Sequence, residues 1–391
     1  MSDLLYWLWL SLLPLSPHAA RRYVLALGSA RALYLAGEEE LGYVEGALRR
    51  EVQTLCRKDL SQAETVEARC RELGVQILCL PDSAYPDRLR NIPDPPVVLY
   101  VRGTLPPVDE RLCIGLVGTR KAGAYGQDLA GRIAGELASC GAVIVTGLAQ
   151  GIDSAAARSA LKAGGKVVAV LGTGIDRVFP AGNEALQDAV AASGAVVTEF
   201  PPGTSATRYT FPRRNRVISG LSVGVTVVEA PAKSGALITA GFARDQGRDV
   251  FVVPGAVDDP GFIGSNSLIR DGAQLIRGSA DILEEYRGRF SICPVSAPVS
   301  GDVATKEAID KASSVDYSSL TEQLEDLTEQ ELKLVTALAG GAAYADELIR
   351  RSGLPSPETM AGLTMLQLKG YVREEYGKYR LIVQTRGPAQ A

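Results

Sequence analysis

The chain has 391 residues, with 41 Lys and Arg against 45 Asp and Glu, six Cys and one His. That length predicts about two to three domains, and 46% apolar with 22% charged residues is the balance of a folded globular protein rather than a disordered one. With His18 alone, a His-x-x-x-His zinc helix is excluded, and a Ser-His-Asp triad would have to be built around a Leu-rich N-terminal segment.

Cys56, Cys70, Cys79, Cys113, Cys140 and Cys293 show no C-x-x-C spacing, so they read as thiols, and neither a metal site nor a cofactor is expected. The N-terminus carries an apolar run over residues 4–15, but its early charge is Asp3, and Arg21-Arg22 follow the run instead of preceding it. A signal peptide has the opposite polarity, and a membrane span needs about 20 residues. Leu4, Trp7, Leu8 and Leu12 repeat on one helical face, which predicts a packed helix, no membrane partner and a cytoplasmic protein.

Residues 1–75 read as a small N-terminal helical domain, with helices over 3–13, 17–28, 29–36, 38–46 and 60–73. Residues 76–110 are Pro-rich and predicted irregular, ending in a short strand over 97–101. From 112 to 287, apolar runs of five or six residues alternate with helical patterns. Strands are predicted over 112–117, 142–146, 166–171, 195–198, 223–228 and 250–253, with a further one over 274–276. Nearly all-apolar strands are covered on both faces, and intervening helices make the sheet mostly parallel. The core, 76–287 with its Pro-rich approach, is therefore an α/β, extended Rossmann-like, doubly wound domain. Residues 288–324 read as a linker. Residues 325–385 hold three helices, over 328–339, 344–352 and 356–370, then a strand-turn-strand over 371–374 and 378–382. That is the pattern of a winged-helix domain.

Charge is local. Residues 112–286 balance 16 basic against 16 acidic side chains, yet Thr207–Arg216 holds four Arg and no acid. In an open α/β sheet, ligands bind beyond the carboxyl ends of the strands. The segments placed there are Gly118-Thr119-Arg120, the loops GLAQGID (147–153) and GTGID (172–176), the Arg-rich segment, and Lys233-Ser234-Gly235. Glycines let backbone N–H groups approach an anion, and Arg120, Arg208, Arg213, Arg214, Arg216 and Lys233 add full charges. The plain alternative for any single loop is a tight βα turn. No G-x-G-x-x-G follows the first core strand and no Walker A sequence occurs, so a line of anion cradles fits a threading polyanion better than a dinucleotide. Tyr209 and Phe211 among the arginines suit base stacking or core packing. Asp153, Asp176 and Glu229 at strand ends could serve acid/base chemistry, or cap helices and pair with neighbouring cations. The helix at 356–370 has one base, Lys369, and one acid, Glu358, too little charge for a DNA-reading helix. The wing's Arg373, Lys378 and Arg380 are offset by Glu374 and Glu375, so partner binding or packing is the expectation there.

Several strings are long and distinctive: LVGTRKAGAYG (116–126), VTGLAQGIDSAA (145–156), VVAVLGTGIDRVFPAGN (167–183), FPRRNRVISGLSVGVTVVEAPAKSGALITA (211–240), GSNSLIRDGA (264–273) and the approach YPDRLRNIPDPPVVLYVRG (85–103). In these the chain resembles the bacterial DNA-processing protein A family (DprA, also called Smf). The resemblance implies a non-enzymatic protein that binds and protects single-stranded DNA and loads the RecA recombinase in natural transformation, usually as a homodimer. It places binding at Arg120, at Phe211, Arg213, Asn215 and Arg216, and at Lys233, Ser234 and Gly235. Two departures stand out: Ala157 occupies a position where the family usually has His, and Leu13–Pro17 lacks glycines common near the family's N-terminus. The alternative is a nucleotide-processing, phosphoribohydrolase-like enzyme, although Pro254–Pro260 does not reproduce that group's P-G-G-x-G-T-x-x-E loop. A winged-helix transcription regulator is a third reading, which would need a sequence-specific footprint on duplex DNA.

Overall fold

The computed structural model describes residues 3–291, 327–338, 343–369, 371–375 and 378–381. The chain divides into two compact units, Met1–Pro298 and Val299–Ala391. Most of the expected linker, 288–324, lies outside the described residues.

The first unit opens with six helices: α1 Asp3–Leu12, α2 Pro17–Leu27, α3 Ala30–Leu35, α4 Glu38–Gly42, α5 Arg49–Leu55 and α6 Ser61–Glu72. Local chemistry sets their starts. Ser16 Oγ accepts from the Ala19 amide at 3.1 Å with Pro17 in the first turn, and Ser29 Oγ accepts from Ala32 at 3.0 Å. Two details differ from the sequence expectation. The helix expected over 38–46 ends at Gly42, and α5 was not anticipated. Its start is held by Glu51, which accepts from the Leu48 amide at 3.2 Å, and its apolar face is only Val52 and Leu55, too short a repeat to register as periodicity. Nor does the helical block keep a core of its own. Leu8, Tyr23, Leu33 and Leu55 belong to one continuous apolar cluster with Tyr100, Ile114, Ile144 and Val167 of the sheet.

The sheet has nine strands: β1 Gln76–Cys79, β2 Val98–Gly103, β3 Cys113–Val117, β4 Val143–Thr146, β5 Lys166–Val170, β6 Ala195–Thr198, β7 Gly224–Val227, β8 Asp249–Val252 and β9 Gln274–Leu275. Their order is β1-β2-β6-β5-β4-β3-β7-β8-β9. The pairs from β6 to β9 are parallel, and β1–β2 and β2–β6 are antiparallel. Strand β1 lies in the segment expected to be irregular. The prolines at 81, 86, 93, 95 and 96 fall between β1 and β2, not within either, so both ladders remain intact. Every residue of β3, β4, β6 and β7 is buried, as expected where helices cover both faces. The intervening helices are α7 Asp87–Arg90, α8 Ala124–Ser139, α9 Ile152–Lys162, α10 Glu184–Ser193, α11 Thr210–Leu221, α12 Gly235–Asp245, α13 Ile263–Arg270 and α14 Ser279–Glu285. Strands β4 to β6 are added on one side of β3, and the chain then returns to place β7 on its other side. The topological switch point therefore lies between β3 and β7.

In the second unit, α15 Glu329–Leu338, α16 Ala345–Ser352 and α17 Ser356–Leu368 pack with a three-stranded sheet of β10 Ala343–Tyr344, β11 Val372–Glu375 and β12 Lys378–Leu381, ordered β10-β12-β11. This is the winged helix expected from the sequence. Leu334, Leu348, Leu363, Leu366, Val372 and Tyr379 form its core. Lys369, the basic residue at the end of α17, is paired with buried Glu331 at 2.9 Å, so that charge is directed inward. Among the described residues, no helix is long and apolar enough to cross a membrane.

Candidate nucleic-acid interface

A cleft of about 290 Å³ opens at the switch point. Its walls are the loops after β3 and β7, and the Thr119 amide donates to the Glu229 carbonyl at 2.8 Å, holding those loops side by side. Nine of the twelve residues singled out in the sequence line it: Gly118, Thr119, Arg120, Phe211, Arg214, Asn215, Lys233, Ser234 and Gly235. Arg208, Arg213 and Arg216 lie outside it.

Arg120 is exposed at the mouth, with its guanidinium 4.6 Å from the Phe211 ring centroid and 5.7 Å from that of Phe179; the two rings are 5.0 Å apart. Such stacking fixes the cation without neutralising it. Opposite, Lys233 is exposed, and Ser234 Oγ accepts from the Ala236 amide at 3.3 Å to start α12. The free amides of that first turn and the helix dipole favour an anion at the same place. Among the described residues, no acid pairs with Arg120 or Lys233. The combination of two unneutralised cations and a helix N-terminus in one cleft suits a phosphate group.

The Arg-rich segment does not form one cationic surface. Residues from 214 onward in α11 are all buried, so the arginines divide between an exposed stretch up to Arg213 and a buried one from Arg214. Arg208 is exposed, stacked on Tyr209 at 4.8 Å and donating to its hydroxyl at 2.5 Å. Arg213 is partly exposed and donates to Glu199 at 3.0 Å. Arg216 is 1% exposed, between Glu199 at 2.8 Å and Asp94 at 3.1 Å. Arg214 is buried on the cleft floor and donates to the Gly147 carbonyl at 2.7 Å and to the Val170 carbonyl. A buried charge must be paired or hydrogen-bonded, and here the helix meets that need internally. Burial brings the Arg214 guanidinium down to about 10, against the opposing pull of Asp153.

A second cleft of about 630 Å³ adjoins the first and shares Arg120 with it. Its other cations, Lys121 and Arg158, were not singled out in the sequence. Gln127, Gln150, Ser154 and Asn183 also line it, and no acid does. Arg158 lies within α9, away from any glycine loop, which is why a search of loops passes over it. The signal available was its spacing: Arg158 follows Ser154 by four residues, one helical turn further along the same face. Gly151, which precedes α9, has φ 82°, and a Cβ there would sit 2.5 Å from the Thr119 carbonyl. Only glycine lets α9 begin this close to the Arg120 loop.

Of the three carboxylates at strand ends, Asp153 and Asp176 have internal hydrogen-bond partners. Asp153 accepts from the Gly147 amide at 3.0 Å and the Ala149 amide at 3.4 Å, and Asp176 accepts from Gly203 at 2.7 Å. Burial pushes Asp153 up from the usual carboxylate range, opposed by Arg214 and the two amides, and burial likewise raises Glu229. Ala157, where the family usually has His, is fully buried.

Comparison with known proteins bears on both units. The family described as DNA recombination-mediator protein A matches residues 76–287, and the DprA winged helix domain matches residues 318–378. Protein Smf of Synechocystis sp. is 33% identical over 96% of this chain and 98% of its own length. The DNA processing protein DprA of Bacillus subtilis is 41% identical over 57% of this chain and 75% of its own. Among solved structures, DNA processing protein A of Streptococcus pneumoniae superimposes with a TM-score of 0.62 at 31% identity, covering 73% of this chain and 98% of that one. DNA processing protein A of Helicobacter pylori, whose structure is described by its single-stranded DNA binding mode, gives a TM-score of 0.50 at 27% identity over 55% of this chain and 97% of that one. Sequence identity, structural similarity and both matched domains thus agree: the chain belongs to the DNA recombination-mediator protein A (DprA/Smf) family.

Proposed function

We propose that this protein is a DNA-processing protein that binds single-stranded DNA without catalysing a reaction on it, protects the strand and delivers it to a RecA-type recombinase in natural transformation, acting as a homodimer. The observation that carries the reading is the pair of unneutralised cations, Arg120 and Lys233, on either side of a glycine-walled cleft at the switch point. The second cleft extends the same rim. A strand whose phosphate sits between Arg120 and Lys233 continues past Arg120 toward Lys121 and Arg158. Phe211 and Phe179 offer apolar ring faces beside the path, and stacking of this kind is tolerant of base identity. The description of the matched family as a recombination mediator supports the hand-off to a recombinase, and the names of the relatives support DNA processing.

Charge reversal at Arg120 or Lys233, each on the surface, tests this reading. Both variants are expected to stay folded and to lose most affinity for labelled oligo-dT in a gel-shift titration. Undiminished binding in both, or turnover of nucleoside monophosphates by the wild-type protein, would contradict it.

A further inference from the structure

We propose that Arg214, acting with Asn215, is a positioning residue of the cleft: an internal brace that holds three loops in register, not a phosphate contact. The inference rests on the reading of the cleft as the DNA site and assigns a different task to an arginine that the sequence placed among the phosphate ligands.

The brace is built from four hydrogen bonds. Arg214 Nη1 donates to the carbonyls of Gly147 and Val170, the first at 2.7 Å, and Nε donates to Asn215 Oδ1 at 3.1 Å. Asn215 Nδ2 in turn donates to the Gly235 carbonyl at 3.2 Å. Gly147 follows β4, Val170 ends β5 and Gly235 opens α12, so one side chain and its neighbour join the ends of two strands to the start of the helix behind Lys233. Gly147 is held on both of its peptide groups, because its N–H donates to Asp153 at 3.0 Å while its carbonyl accepts from Arg214. The fit leaves no room for a side chain: a Cβ at Gly147 would lie 2.3 Å from the guanidinium. Only Nη2 has no protein partner among the described residues.

The geometry requires a planar fork. A lysine brings charge to the same floor but cannot reach two carbonyls and an amide oxygen in one plane. This separates the brace from a direct phosphate contact, for which the charge would suffice.

The test uses the full-length protein with Arg214→Lys and Arg214→Gln, measuring oligo-dT affinity across a salt series and hydrogen exchange without DNA. The brace predicts that both variants weaken binding about tenfold or more, since sites loosen when their supporting shell is lost, with the slope of log K against log salt unchanged. It also predicts faster exchange at the Gly147 and Ala149 amides while the strand amides keep their protection. In a double-mutant cycle, Lys233→Ala should cost much less in the Arg214→Gln background than in wild type. The proposal is overturned if Arg214→Lys binds like wild type while Arg214→Gln loses about 0.7 of slope, the signature of one released counterion on a single strand. It is also overturned if both variants bind and exchange like wild type. Should either variant fail to fold, Asn215→Ala, which removes the bond from Arg214 Nε and the arm to Gly235 but leaves the two carbonyl bonds of Nη1, carries the same expectation for binding and salt slope. If the wild-type protein does not bind oligo-dT, the DNA reading fails, and the exchange data alone decide the brace.

Discussion

Arg216 shows how far a residue's role depends on how deeply its stretch of helix is buried. Removing it as Arg216→Ala leaves buried Glu199 and half-buried Asp94 with only part of their compensation, and breaking a buried pair such as Arg216–Glu199 costs about 3–5 kcal/mol. Chemical denaturation should show that loss, while Arg120→Ala, on an exposed side chain, should stay within about 0.5 kcal/mol of wild type. Glu229 gives a pH signature. Burial raises its folded-state pKa, so its ionised form opposes folding once pH rises above the unfolded value. Glu229→Gln should therefore raise the melting temperature at pH 7, and the gain should shrink as pH falls toward 4. A gain independent of pH would assign the effect to packing. At this scale the cleft-lining residues of the glycine loops were legible in the sequence, because loop position after a buried strand is enough to place them. The fates of Arg214 and Arg216 were not, because four arginines in ten residues give a count of charges but not the point at which the chain passes into the interior.

Elements carry the next level of the account. The central strands were readable because an apolar run with no alternation has one physical meaning in a chain with intervening helices: burial on both faces. Strand β1 was hidden by its proline-rich surroundings, and α5 by having only Val52 and Leu55 to show. Helix α9 begins packed against the Arg120 loop, where Gly151 leaves no room for a side chain. Gly151→Ala would force a side chain into φ 82° and against the Thr119 carbonyl. The left-handed backbone alone costs about 1–2 kcal/mol. The expected result is a moderate drop in thermal stability with a larger loss of oligo-dT binding, because relief of the clash moves Arg120. Equal binding by Gly151→Ala and wild type would mean that the spacing between α9 and the loop does not set the site.

For the whole molecule, a net charge of −4 is compatible with a polyanion ligand because four exposed cations, Arg120, Lys121, Arg158 and Lys233, line two adjoining clefts at one sheet edge. In the second unit, Lys369 is turned inward and α17 leaves Met360, Met365 and Leu368 exposed, a surface poorly suited to phosphates. A chain ending after residue 291 is therefore expected to bind oligo-dT with the salt dependence of the full protein, as filter binding would show. The central claim is that the cleft holds a single strand by its phosphates. The most direct test is a fluorescence-anisotropy titration of labelled oligo-dT at several salt concentrations, with duplex DNA as competitor, for wild type, Arg120→Ala and Lys233→Ala. The account predicts affinity that falls steeply with salt, weak competition by duplex, and a slope reduced by about 0.7 in each variant. Salt-independent binding, equal competition by duplex, or slopes unchanged in both variants would contradict it.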